Sequence, residues 1–493
     1  MWTTALAVNG EAATGAWQAG KISPCLAKGL AMRLRGGLER HRFPAFTSFD
    51  MNSKPVSTTP RRQFIKSSSA SIGALATVHL ASGLRAASPN DKVSLGIIGP
   101  GGMGRSHIRN LVQRKDAEIA FVCDPDANHR ANAANMVGAE NGIKPKQLSD
   151  FREMLEVNSV DAVFIATPDH WHASAAILAA EAGKHVYVEK PCSHNIREGR
   201  LMIEAARLNK RVMQVGTQSR STRHVQRAME LLHNGAIGRV LVAKAWNSQR
   251  RSSIGRANPS APPAHLDFDT WLGPAPKVPH QSNMLHGIWR WWYAFGTGDM
   301  GNDGVHDLDI ARWGLGVTTH PERIVALGGK YFFDDDQQFP DTQNVLFEYG
   351  AGGATGKPHQ LIFEQRIWAP YIEQGYENGN AFYGTDGLML LGKHGGWKLY
   401  GPRNKLREQM GGSPDLRAHH DDFFRCIREG GTPNANIEIG HLSSSLCHLG
   451  NIATRVGRAL EFDPKREQIV GDDAANAMVT REYRDHWGRP SGA

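Results

Sequence analysis

The segment from Val93 to Asp124 constrains this chain most. Val93-Ser-Leu-Gly-Ile-Ile98 reads as a strand and runs into Gly99-Pro-Gly101-Gly102-Met103-Gly104, a GxGxxG spacing. A helical pattern follows over Arg105 to Arg114. A second apolar run, Ile119-Ala-Phe-Val-Cys123, then ends on Asp124, 20 residues past the last glycine. With 53 glycines in the chain, a bare GxGxxG carries little weight. Strand, glycine turn, helix, strand and terminal acid in one unit form the dinucleotide-binding fingerprint.

Each residue type has a physical task there. Gly99 permits the tight turn out of the strand, Gly101 lets the backbone approach a pyrophosphate, and Gly104 allows close packing of helix on strand. Gly102 and Met103 lie in the same turn, at the helix N-terminus, whose N–H groups and positive dipole end attract phosphate. The Asp124 carboxylate can accept hydrogen bonds from both adenosine ribose hydroxyls and repels a 2′-phosphate. NAD(H) is therefore expected over NADP(H), a preference that nearby Arg130 can soften.

The net charge of +9 suggests a nucleic-acid partner only until it is located. Residues 1–90 carry 11 Lys/Arg against 3 Asp/Glu, whereas residues 91–493 carry 46 against 45. The folded part is nearly neutral, and no nucleic-acid partner is expected. The excess belongs to an export leader. Arg61-Arg62-Gln-Phe64-Ile-Lys66 stands before a weakly apolar Ala/Ser/Gly segment, Ser67 to Gly83, and small residues at Ala86, Ala87 and Ser88. That order resembles a twin-arginine signal. It implies the twin-arginine export machinery as a partner and a periplasmic location, with membrane anchoring by an uncleaved leader as an option. Residues 1–50 fit no part of such a signal, so translation is expected to start at Met51. The cysteines, Cys25, Cys123, Cys192, Cys426 and Cys447, show no CxxC spacing, and neither a metal nor a disulfide is expected.

Strand and helix patterns alternate to about residue 216. Asp161-Ala-Val-Phe-Ile-Ala166 closes on Thr167-Pro168, and His185-Val-Tyr-Val188 closes on Glu189-Lys190-Pro191. This is a doubly wound parallel sheet with its ligand crevice at the strand carboxyl ends. Beyond it come an alternating strand over 240–247, a proline-rich stretch, and strand-like runs at 323–333, 343–349, 360–367, 380–384 and 387–391. Helices are expected over 419–429 and 441–460. The pattern is that of an α+β domain with a mainly antiparallel sheet. The predicted domains are an upstream extension (1–50), a signal and linker (51–90), a Rossmann domain (91–217) and a substrate and oligomerisation domain (218–493).

A lysine at the end of a parallel strand can manage the proton of a substrate hydroxyl when burial lowers its pKa. Pro191 can fix the loop, with a cis bond as one option. The segments Gly99–Gly104, Ala166-Thr-Pro-Asp-His-Trp-His172, Val186-Tyr-Val-Glu-Lys-Pro191 and Gly301-Asn-Asp-Gly-Val-His-Asp-Leu-Asp309 together resemble the Gfo/Idh/MocA oxidoreductases, over about residues 92–487. The resemblance implies a Rossmann domain followed by an α/β domain. It also implies a homo-oligomer, dimer or tetramer, joined through the open sheet. It makes Lys190 the catalytic lysine and His306 the assisting acid/base, and it places Thr167, Pro168, His172 and Glu189 beside the cofactor. The family carries an Asp four residues before that histidine. Here the position is Asn302, which cannot act as a base, and Asp303 is adjacent.

Other candidates keep two readings. His172 either neighbours the nicotinamide or caps a helix. Trp289-Arg290-Trp291-Trp292-Tyr293 either stacks on a sugar, with Arg290 on its hydroxyls or a carboxylate, or forms a core cluster. Gln218 and Arg220 follow the last Rossmann strand and are candidate substrate contacts. In His419-His420-Asp421-Asp422 the four side chains do not share one helix face, which argues against a metal. His419 is the member expected near the substrate. The leading expectation is an NAD(H)-dependent oxidoreductase acting on a hydroxyl of a sugar, polyol or derivative, with cofactor tightly held. A redox-neutral glycoside-cleaving enzyme that oxidises, eliminates and reduces is the alternative. A non-catalytic sugar- or nucleotide-binding protein is a second alternative.

Overall fold

The computed structural model describes residues 92–351 and 356–484. The arginine pair, the leader and residues 1–50 lie outside the described residues. The nucleotide half comprises β1 (Val93–Ile98), α1 (Gly102–Leu111), β2 (Ala117–Cys123), α2 (Ala127–Asn141), β3 (Lys146–Leu148) and α3 (Arg152–Leu155). It continues through β4 (Ala162–Ile165), α4 (Asp169–Glu181), β5 (His185–Val188), α5 (Ile196–Leu208) and β6 (Met213–Val215). The strand order is β3-β2-β1-β4-β5-β6, every pair parallel. The order reverses between β1 and β4, the crevice where such sheets bind ligands. β4 and β5 are covered on both faces, which explains their nearly unbroken apolar runs.

The second half begins with α6 (Arg223–His233), β7 (Val240–Asn247), α7 (Phe268–Leu272) and α8 (Val305–Leu315). β8 (Arg323–Gly329), β9 (Thr342–Tyr349), β10 (His359–Arg366), β11 (Asn378–Gly384), β12 (Leu388–Gly392), β13 (Gly396–Gly401) and β14 (Lys405–Met410) follow. The chain closes with α9 (Leu416–Glu429), α10 (Ile437–Val456), β15 (Leu460–Asp463), β16 (Gln468–Ile469) and α11 (Asp473–Asn476). The ten-stranded sheet runs β14-β13-β12-β11-β7-β10-β9-β8-β15-β16, with only β7 and β10 parallel. Along β9, Gln343, Val345, Phe347 and Tyr349 are buried while their alternates face outward. One face of the sheet thus packs Phe347, Phe363 and Phe382 against Leu308 of α8 and Leu446 and Leu449 of α10.

Several boundaries differ from expectation for local reasons. α10 starts at Ile437 because Asn436 caps Glu438 and Ile439 N–H groups, and it stops before Gly457, which takes a left-handed φ of 66°. β3 forms on the sheet edge. The sequence pattern does not predict β13 and β14, since β13 is bounded by glycines and β14 is exposed nearly throughout. α9 follows the second sheet in the chain, yet its Phe423 and Phe424 pack with Phe164 and Tyr187 in the core of the nucleotide half. No described helix is long and apolar enough to cross a membrane. Cys123, Cys192, Cys426 and Cys447 are buried free thiols.

Candidate active site

The carboxyl ends of β1, β4 and β5 open into a cavity of about 420 Å³. Its lining takes in Gly99, Gly101, Gly102, Met103, Asp124, Thr167, Pro168, His172, Glu189, Lys190, Arg290 and Asn302. A Cβ on Gly99, at φ 78°, would lie 2.8 Å from the Ala166 carbonyl, and one on Gly104 would lie 2.3 Å from Gly99 O. Around Gly102 nothing stands within 4 Å. The turn is therefore closed toward the sheet and open toward the cavity. Thr167 Oγ1 is buried without a hydrogen-bond partner at that opening. These features fit a dinucleotide with its pyrophosphate at the α1 N-terminus.

Asp124 ends β2 as expected. Its Oδ1 accepts from Asp126 N at 2.9 Å, and its Oδ2 lies 3.2 Å from His129 Nδ1. The Asp124 contact raises the His129 pKa. Arg130 donates to the Asp124 carbonyl oxygen instead of reaching outward. His172 does not cap α4. Its ring nitrogens meet the carbonyl oxygens of Pro191, at 2.6 Å, and Thr167, at 3.0 Å, and so tie two cavity loops together. The Lys190–Pro191 bond is cis.

Lys190 projects between the halves, and its Nζ donates to the Asn302 carbonyl oxygen. Burial lowers its pKa, against the pull of Glu189, Asp303 and Asp169. Burial also presses upward on the Glu189 carboxyl, but the His107 hydrogen bond at 3.0 Å holds it at about 2. Gln218 donates to Glu189 at 3.0 Å and to the Tyr187 hydroxyl at 3.2 Å, so it braces the strand end from outside the cavity.

The Asn302 and His306 segment is presented by a π-type turn, Met300–Gly304, that leads into α8. Asn302 Oδ1 accepts from Arg290 Nε and its Nδ2 donates to Asp299, each at 3.0 Å. Asp303 does not turn toward Lys190 as a substitute base. Lys393 Nζ donates to its Oδ1 at 2.7 Å and Asn378 to its Oδ2 at 2.5 Å. Despite burial, the Lys393 ammonium holds its pKa far below the carboxylate range. Burial and Lys393 push His306 down to about 3, so its ring is neutral.

His419 is placed elsewhere. It is fully buried behind β6, between Ser221 Oγ at 2.8 Å and Val215 O at 3.0 Å. Arg220 forms a two-bond pair with buried Asp309. Trp292 donates to Asn283 O, and Trp291 lines a second cavity reached at Arg290. Sequence reading missed Asp169, Arg251, Asp299 and Lys393. Asp169 lines the main cavity at the first residue of α4, where burial raises its pKa and Thr297 Oγ1 donates to it at 2.7 Å. Its signal was adjacency to the Thr167-Pro168 turn. Lys393 gave no local signal, because only closure of the β12–β13 hairpin brings it to Asp303.

The stretch from 256 to 296 covers the cofactor end of the cavity. Ala127 N donates to His265 O at 2.9 Å, Asp267 N to Pro125 O at 3.2 Å, and His286 Nε2 lies 3.0 Å from Asp126. Trp271 O lies 3.0 Å from both His170 Nε2 and Trp171 Nε1.

Two family models match the chain. Residues 93–217 match the Gfo/Idh/MocA oxidoreductase family's NAD-binding Rossmann fold, and residues 241–347 and 396–489 match its C-terminal alpha/beta domain. A levoglucosan dehydrogenase from Pseudarthrobacter phenanthrenivorans is 28% identical over 408 residues, 71% of this chain and 93% of that protein. The uncharacterized oxidoreductase YrbE of Bacillus subtilis is 31% identical over 298 residues, 60% of this chain and 72% of its own length. A solved levoglucosan dehydrogenase in complex with NADH shares the fold with a TM-score of 0.59 at 20% identity, over 75% of this chain and 99% of that one.

Proposed function

The chain belongs to the Gfo/Idh/MocA family of NAD-dependent oxidoreductases, and from that premise we propose that it oxidises a hydroxyl of a sugar, polyol or sugar derivative with Lys190 as the proton-handling group. The observation that carries this reading is a lysine whose pKa is lowered by burial, at the end of β5, in one cavity with the glycine turn. Bound NAD supplies the hydride acceptor at its nicotinamide ring. A neutral Lys190 amine takes the hydroxyl proton as the carbonyl develops. His306, neutral and hydrogen-bonded to no described residue, orients the same hydroxyl. Asn302 contributes its carbonyl oxygen to Lys190 and does not titrate. Asp303 supplies fixed negative charge from behind.

Tight cofactor retention is part of the proposal. The 256–296 stretch over the ribose-binding corner supports it, since release requires separating the contacts at Asp126, Pro125 and Ala127. Export of a folded chain by the twin-arginine route would require such preloading. Purification without added cofactor, denaturation and mass spectrometry of the released small molecules test this. Near-stoichiometric NAD or NADH is expected, and an empty protein that binds added NADH only weakly would refute tight retention.

A further inference from the structure

Arg290 is a largely buried cation without an ion pair to any described residue. Its Nε donates to the Asn302 side-chain oxygen and its Nη1 to the Gly287 carbonyl, both neutral acceptors. Nη2 donates to no described group and is not sealed from solvent. Burial lowers its pKa, against the pull of the Asp299, Asp169 and Asp303 carboxylates. The position that would neutralise it is Asn302. A carboxylate there would face Arg290 Nε directly, and the amide leaves the positive charge open.

Arg290 is also the hinge between two spaces. It lines the main cavity with Lys190 and a second one of about 260 Å³ with Arg251, Ser252, Ile254 and Trp291. The donors in this second space are unused. Arg251 spends Nε and Nη2 on Asp299 and leaves Nη1 without a partner, and Trp291 Nε1 donates to no described group. No described carboxylate lines the second cavity. Arg251, Arg290 and Trp291 line this one cavity, and donors of these kinds call for an acceptor on the ligand. Arg251 is paired with Asp299 at 2.9 Å and lies 3.8 Å from Asp303, so of the two guanidinium groups Arg290 is the one without a carboxylate in salt-bridge contact. That favours a monoanion.

We propose that the second cavity is a carboxylate subsite and that the substrate class is a sugar acid, its hydroxyl presented to Lys190 and its carboxylate to Arg290, Arg251 and Trp291. The proposal rests on the sugar-oxidoreductase reading and narrows it. Isothermal titration of the NADH-loaded full chain with D-gluconate, D-glucuronate, D-glucose and D-glucose 6-phosphate tests it directly. The two acids should bind at least about tenfold tighter than glucose, the scale of one charge-assisted hydrogen bond. Asn302→Asp should pair Arg290 internally and bring acid and glucose affinities close together. Trp291→Phe, which keeps the ring and removes the donor, should weaken the acids several-fold more than it weakens glucose. It decides the matter if the Asn302→Asp variant does not fold. Equal affinity for acids and glucose, a preference for the phosphate, or an acid preference untouched by both substitutions would overturn the subsite.

A parallel assay of NADH formation with the same compounds separates the two readings. Preferential acid binding without oxidation of any compound keeps the subsite and removes the oxidoreductase. Oxidation of neutral sugars without acid preference does the reverse.

Discussion

At the scale of residues, the site is a set of groups whose charges are fixed before substrate arrives. On the proposed reading Lys190 carries the proton chemistry, and Lys190→Met should cut turnover by about 10²–10⁴-fold, the usual contribution of a positioned base. NADH affinity, followed by fluorescence titration, should change little. Oxidation needs the neutral amine. Its rate should therefore rise with pH through a limb lying below the ordinary lysine value of 10.5. His306 titrates near 3 and should add no limb close to neutrality. The pH profile of kcat/KM checks both statements.

The glycine turn offers a contrast. Gly104→Ala drives a Cβ against backbone and should cost about 1–3 kcal/mol of stability, as overpacking does. Gly102→Ala enters open space, so it should leave the melting temperature nearly unchanged and instead weaken NADH binding. Asp124 and the glycines were legible because each ends or begins an element that periodicity identifies, whereas Lys190 stood out through the resemblance of its Glu-Lys-Pro segment to the family. The sequence left the role of Asp303 beside Asn302 open, and the Lys393 and Asn378 donors that hold its carboxylate have no local signal.

At the scale of elements, the site depends on contacts between segments far apart in sequence. The β12–β13 hairpin delivers Lys393 to Asp303 and Asp307, at 2.7 and 3.3 Å. Lys393→Met would leave two buried carboxyls without their cation and should destabilise the fold by about 3–5 kcal/mol, measurable by chemical denaturation. The 256–296 stretch acts on release. His286→Ala removes the tie to Asp126, and about a tenfold faster NADH dissociation is expected in stopped-flow displacement, with little change in stability. The prolines of this stretch showed a loop, but not that it crosses to the nucleotide half. The same holds for α9. Its apolar face was visible in sequence, and its partner layer was set by long-range packing of Phe423 and Phe424 with Phe164 and Tyr187.

At the scale of the whole molecule, buried histidines on α4 and α10 make the fold acid-sensitive. Burial holds His170 and His448 near pH 3, against 6.5 unperturbed. Between those values the unfolded chain binds more protons than the folded one. Stability is therefore complete above 6.5 and falls as pH drops toward 3, by at most about 1.4 kcal/mol per pH unit for each histidine. Thermal melts over that range should show a steady fall. The division into a parallel and a mainly antiparallel sheet was legible from pattern alone, because buried parallel strands and half-exposed strands differ in periodicity. The second cavity was not, because it forms only where 251–254 meets 288–291.

The most direct measurement is a single-turnover experiment with NAD-loaded protein and a panel of sugars, polyols and sugar acids, following reduced nicotinamide in the native chain and in Lys190→Met. The account predicts substrate-dependent reduction in the native chain and its loss in the variant, with the nucleotide still bound. Reduction that survives the substitution, or a native chain that reduces its nucleotide with none of these compounds, would contradict it.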